Sequence, residues 1–278
     1  MYKNIRQVNG PVRMLLWGLS STGKSFTSME IAAHLYPGVP FAVIDSENKA
    51  WHYGDRYPQA QVYLLEDFAP ESYIKAIQAV PSDVRVLVID GLSDAWSYVK
   101  SIVRREKNTQ RGWGNATPHQ ERLQQAIGLS PCHIVATCRA LENEKQEVCF
   151  IQRQTITFEF STRGWMDSQH ALHVQHAYAP QLRDKAFPRP GKNIADILRL
   201  YHGIDDNAWQ FRARVLERWS EVVPELIGDK TGIQPLLDLA GVSLNNGFDE
   251  QATMVELAVA VDGYVEQRQR DNGDRQRR

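Results

Sequence analysis

Cysteine is scarce in this chain. Cys132, Cys138 and Cys149 are an odd set with no C-x-x-C pair. That argues against a disulfide framework or a thiolate zinc site and fits a reducing, cytoplasmic setting. A charge excess of one sign is also missing: 32 basic residues face 33 acidic ones, for a net charge of -1. Any surface for a polyanion therefore has to be a local patch. No apolar run reaches the ~20 residues of a membrane span, and the opening MYKNIRQVNG lacks the apolar centre of a signal peptide. The expectation is a cytoplasmic protein without a membrane partner. With 278 residues, 42% of them hydrophobic and 23% charged, the composition is that of a globular protein. It allows one large domain, or a core with a small appendage.

What is present begins with LLWGLSSTGKSF, residues 15–26. Gly18, Gly23, Lys24 and Ser25 fit G-x-x-x-x-G-K-[ST] without a mismatch. Glycines let such a loop curl so that successive N–H groups point at one phosphate chain, and the following helix adds its positive dipole end. The predicted nucleotide contacts are Gly18, Ser20, Ser21, Thr22, Gly23, Lys24, Ser25 and Phe26. Lys24 reaches the terminal phosphates and the Ser25 hydroxyl ligates Mg²⁺. The flanks agree: VRMLLW reads as a buried strand, and KSFTSMEIAAHL as a helix stopped by YPG. A second metal ligand is expected from VRVLVIDG, residues 84–91, an apolar strand delivering Asp90 to its tip. The plainer alternative is a strand ending in Asp before a Gly turn. No guanine-reading N-K-x-D element occurs, so the expected cofactors are ATP and Mg²⁺.

Gly91 follows Asp90, so no glutamate stands directly after that aspartate. Instead FAVIDSEN, residues 41–48, is another buried strand, ending in Asp45, Ser46 and Glu47. In this order of parts the chain resembles the RecA family, in which a strand ending I-D-x-E supplies a catalytic glutamate. VYLLED, PESYIKAIQAV and VLVIDG then match the short strand, helix and metal-binding strand of that family. The resemblance covers roughly residues 12–140. It implies an α/β fold, a RecA-like P-loop NTPase with a mainly parallel central sheet. It gives Glu47 the water-activating role. It also implies a polar residue sensing the γ-phosphate at the tip of CHIVATCRA, residues 132–140. Thr137 stands there, where RecA-like proteins commonly carry Asn or Gln. Arg139 is expected to reach a phosphate or a neighbouring subunit.

Beyond residue 140, EVCFIQRQTITFEF and QHALHVQHAY alternate apolar and polar residues and predict a β extension. TFEF, a His-containing strand and QLRDKAF are similar to the ending of phage-encoded AAA/RecA-like ATPases. Those serve recombination and single-strand annealing, so this resemblance implies DNA work, to about residue 203. His170, His173 and His176 invite a metal reading. On a regular strand His173 faces away from the other two, which favours ordinary strand histidines. Residues 100–114, KSIVRREKNTQRGWG, form the best basic patch. Arg104, Arg105, Lys107 and Arg111 precede Trp113, with Gly112 and Gly114 expected to give a mobile loop for nucleic acid. Arg183 and Lys185 are candidates for a cation acting on a neighbour's γ-phosphate. The domain reading is a core with β extension over 1–203, a helical region over 204–268 and a disordered polar tail over 269–278. The helical stripes there are Trp209, Val215, Leu216, Trp219 and Val222, and Met254, Leu257, Val261 and Tyr264.

These features predict an ATP-hydrolysing homo-oligomer acting on single-stranded DNA in recombination or replication. Two alternatives remain: a nucleotide-dependent loader or switch acting on a protein partner, and a small-molecule phosphotransferase with 108–118 as its lid.

Overall fold

The computed structural model describes residues 10–144 and 148–204. The helical stripes and the polar tail expected beyond 204 lie outside the described residues.

Four apolar runs become the centre of a parallel sheet. β1 (Arg13–Gly18), β2 (Phe41–Asp45) and β4 (Val86–Asp90) are buried along their whole length, as is most of β5 (His133–Glu142). β3 (Ala60–Leu64) forms an exposed edge. Successive side chains of a strand point to opposite faces, and β1 shows it. Met14 and Leu16 enter a core shared with α1 (Lys24–Leu35) and α5 (Lys192–His202). Leu15 and Trp17 enter a second core, under α2 (Pro70–Gln78), α3 (Ser93–Arg105) and α4 (Thr109–Leu129). Helices thus cover both faces, which is why these strands are apolar throughout.

The sheet has nine strands among the described residues, in the order β3-β2-β4-β5-β1-β7-β8-β9, with β6 (Val148–Phe150) on β5. β5 lies between the loop-bearing β1 and the Asp90 strand β4. Every pair from β3 to β7 (Thr162–Met166) on this path is parallel; β8 (Ala171–Ala177) and β9 (Ala186–Pro188) continue antiparallel. This is the α/β, mainly parallel RecA-like P-loop fold that the sequence predicts, with its β extension at β7–β9. No described helix is long and apolar enough to cross a membrane.

Three local expectations fail. TITFEF is not a strand: Gln154–Glu159 is a 3-10 helix. Its backbone closes on itself, with Ile156 N–H to Arg153 O at 3.0 Å, while Ile156 and Phe160 plug the second core. The expected mobile loop at 108–114 is the start of α4. The Asn108 side chain caps it by accepting the Arg111 N–H at 2.9 Å. Gly112 serves close packing there: a Cβ would meet Val103 Cα and O at 3.1 Å. Finally, β8 carries a bulge, pairing Arg163 with His176 but Gly164 with Val174. The extra residue, Gln175, turns His176 to the same face as His173.

Candidate nucleotide site

The loop, Asp90, Glu47 and Thr137, predicted to handle the chain's own nucleotide, all fall at the C-terminal edge of the parallel strands. The loop after β1 is tightly constrained. A Cβ on Gly18 would meet Met166 O at 2.6 Å. Gly23 has φ 86° and caps α1 from the left-handed region, with His170 against it. Thr22 Oγ1 donates to Leu19 O at 3.0 Å, and Lys24 Nζ donates to the same carbonyl at 2.7 Å. The loop therefore puts a lysine and a helix N-terminus in one concavity.

Asp90, at the tip of β4, is 3% exposed. It accepts a hydrogen bond at 2.6 Å from Thr137 Oγ1, and the Ser25 hydroxyl is near enough to lower its pKa. Thr137 in turn accepts the Gly91 N–H at 3.0 Å. Burial raises the Asp90 pKa, and the two hydroxyl donors offset part of the rise. Burial also lowers the Lys24 pKa, opposed by the nearby carboxylates of Glu47 and Asp90. A hydroxyl beside a carboxylate is the hard-oxygen donor set that suits Mg²⁺, and the glycines leave the space a phosphate chain needs. The residues present fit a magnesium nucleotide.

The tip of β2 is organised by Asp45. Its carboxylate accepts the N–H groups of Glu47, Lys49 and Ala50 at 2.7–2.9 Å. Glu47 is thereby held out over the site. Its Oε1 accepts from Arg139 Nε at 2.9 Å and its Oε2 from Lys49 Nζ at 2.7 Å. Burial pushes the Glu47 pKa up, but these two cations outweigh it and hold the carboxyl below its ordinary value. Arg139 also bonds Asp94 Oδ2 at 2.9 Å, so its side chain is engaged within its own chain. Ser46 Oγ sits 2.9 Å from the same Asp94 oxygen.

Sequence reasoning missed Asp94 and a cavity of about 450 Å³ beside the loop. Phe26, Thr27 and Glu30 of α1 form one wall; His170 and the 189–192 turn form another. The Arg56 guanidinium lies 5.0 Å from the Phe26 ring centroid and bonds Glu30 Oε1 through Nε at 2.8 Å. No local motif announces this cavity, because its walls come from four separated segments.

Other expected residues are elsewhere. Arg104 and Arg105 close α3, whose start follows Asp90. A helix of that length carries them about 18 Å away. With Lys107 and Arg111 they are exposed, and none makes an ion pair among the described residues. Trp113 stacks on Trp96 at 5.7 Å. Arg183 and Lys185 lie between β8 and β9. Arg183 Nε reaches Ala177 O at 3.3 Å. Ala177 is level with Thr162 and Met14, about 13 Å along the strand from Gly18. The described residues hold no cluster of three or more His, Cys, Asp or Glu suited to a metal.

Set against known proteins, the model of a family described as "AAA domain" matches residues 10–163. No curated protein matches the chain.

Proposed function

The chain belongs to the AAA-domain family, whose model spans more than half of it, and from that premise we propose that it binds ATP with Mg²⁺ and hydrolyses it in the service of DNA recombination or replication. The core is of the AAA/P-loop ATPase type. The observation that carries the proposal is the convergence of Lys24, Ser25 and Asp90 under Glu47, from three separated segments of the chain.

In this reading the loop N–H groups and Lys24 bind the phosphate tail, and the cavity along α1 takes the nucleoside. Ser25 and Asp90 hold Mg²⁺, which neutralises charge on the phosphates. Glu47, kept ionised by its low pKa, accepts a hydrogen bond from the attacking water and aligns it. Thr137 is a positioning residue acting through Asp90. Of the two candidate trans cations, Lys185 is the one left to act on a neighbouring subunit in an oligomer, since Arg183 is tied to Ala177 O, far along the strand from the loop. The cations of the α3–α4 hairpin, without ion-pair partners among the described residues, supply a DNA contact. The phosphotransferase alternative expected a loop as its lid at 108–118; that stretch is instead the capped start of α4, from Thr109 on.

The test is ATP turnover with and without single-stranded DNA, at low and moderate salt. Turnover stimulated by DNA and weakened by salt is expected. Glu47→Gln should retain nucleotide binding and lose turnover about a hundredfold or more. Wild-type turnover in that variant would remove Glu47 from the mechanism. Turnover indifferent to DNA would favour the loader reading.

A further inference from the structure

The extension β7–β8 has one closed face and one half-buried face, on which Trp165 packs against the second core. Met166, Leu172, Val174 and Ala177 are buried in the first core. The other face carries Arg163, Trp165, His173 and His176, the last brought there by the bulge at Gln175. Near the nucleotide loop this face is internally matched: Trp165 stacks on His173 at 4.2 Å, and His173 Nε2 lies 2.7 Å from Asp167 Oδ2.

The far end is not matched. Arg163 donates through one nitrogen to Thr157 O at 3.0 Å, and Arg183 through Nε to Ala177 O at 3.3 Å. A guanidinium has five N–H donors, so each keeps several for another acceptor. His176 lies between them; after burial, the two arginines are what lowers its pKa, with no acid opposing. Glu159 is turned away, toward Gly128. Asp184 makes no ion pair with either arginine among the described residues. Two exposed aromatics flank the cations. Tyr178, 59% exposed, stands edge-on to His176 at 5.2 Å. Phe158, 83% exposed, follows the Thr157 that Arg163 binds.

We propose that Arg163, His176 and Arg183 bind the phosphodiester backbone of a single-stranded nucleic acid, with Tyr178 and Phe158 stacking on its bases. Two arginines without an acid partner among the described residues match a polyanion, with the His176 imidazole as a further N–H donor, and the exposed rings beside them match unpaired bases. Arg163 is the last residue the family model matches, and His176, Tyr178 and Arg183 lie beyond it. The site is separate from the α3–α4 patch. It deepens the DNA half of the proposed function and depends on neither Lys24 nor Glu47.

The experiment is fluorescence anisotropy of a labelled oligothymidylate with the full chain, without nucleotide, from 50 to 200 mM salt. The double variant Arg163→Gln/Arg183→Gln should bind at least tenfold more weakly at low salt. Its salt slope should become shallower by about 1.4, the share of two neutralised phosphates on a single strand. Tyr178→Ala and Phe158→Ala should each weaken binding about fivefold or more with the slope unchanged. Arg183→Gln alone, on an exposed turn, repeats the slope test at half the size if the double variant melts early. Wild-type affinity and slope in the arginine variants overturn the proposal. So does an equal loss of heparin binding with no effect of the aromatic variants, which would mark a general polyanion surface. Glu47→Gln should bind the oligonucleotide as wild type does. Turnover absent with this binding intact would sink the ATPase reading alone; binding unchanged in the variants with turnover intact would sink this one alone.

Discussion

Thr137 shows what one hydroxyl does in this site. It accepts the Gly91 N–H and donates to Asp90, both in the interior. Thr137→Val keeps the shape and removes both bonds. Leaving buried polar groups unmatched should lower the unfolding free energy by about 1–3 kcal/mol. The loss also removes a donor that opposes the burial-driven rise of the Asp90 pKa, so that pKa climbs further. A carboxyl more readily protonated binds a cation less well. The Mg²⁺ concentration for half-maximal turnover should therefore increase, most at acid pH. Urea unfolding and a Mg²⁺ titration check the two parts. An unchanged Mg²⁺ requirement would show that Thr137 does not position Asp90. The sequence marks Thr137 as the polar residue at a strand tip. It cannot show that the hydroxyl turns to Asp90, because the two lie on different strands brought together only by the sheet.

Whole elements were legible where their pattern is local. β1, β2 and β4 are largely apolar runs ending in a functional carboxylate or a glycine loop, and burial on both faces demands such runs. The start of α4 was not legible, because Gly112, Gly114 and Pro118 read as loop residues. Its helical spacing is there, in Gly112, Ala116, Gln120, Leu123 and Ile127, all buried, but glycine and glutamine hide it from an apolar count. The two glycines make opposite predictions. A Cβ on Gly114 meets nothing within 4 Å, so Gly114→Ala should stabilise by up to about 1 kcal/mol through helix propensity. A Cβ on Gly112 meets the Val103 backbone at 3.1 Å, which does not yield as a flexible side chain would. Overpacking of about 1–3 kcal/mol should outweigh the propensity gain. Thermal melting of the pair decides it: equal shifts would mean that this stretch does not pack on α3 as a helix. The 3-10 helix at 154–159 and the cavity beside Phe26 escaped for a related reason. Both are shaped by distant segments, the one by the core it plugs, the other by four walls far apart in sequence.

At the scale of the molecule, His133 joins three of the parts that position the nucleotide loop. It opens β5; its Nδ1 accepts the N–H of Val12 just before β1 at 3.0 Å, and its Nε2 meets Tyr36 at the end of α1 at 3.2 Å. Because Nδ1 is an acceptor, the ring is neutral with its proton on Nε2, and protonating Nδ1 breaks the Val12 bond. Burial pushes the His133 pKa from 6.5 down to about 4, with His202 and Arg13 nearby adding to the shift. Between those values the unfolded chain holds a proton that the folded one does not, so stability rises with pH across that window. The contribution is complete above about pH 6.5 and lost as pH falls toward 4, by roughly 3 kcal/mol in all. Asp90, whose pKa is raised, works the other way: its protonation in acid favours the fold. The His133 contribution is therefore read as a difference. Urea unfolding of the wild type and His133→Gln, followed from pH 7 to 4.5, should give profiles that converge as the pH falls, since only the wild type loses the histidine's share. Parallel profiles would mean that His133 titrates alike folded and unfolded, and that the seam between β1, β5 and α1 does not depend on a neutral imidazole.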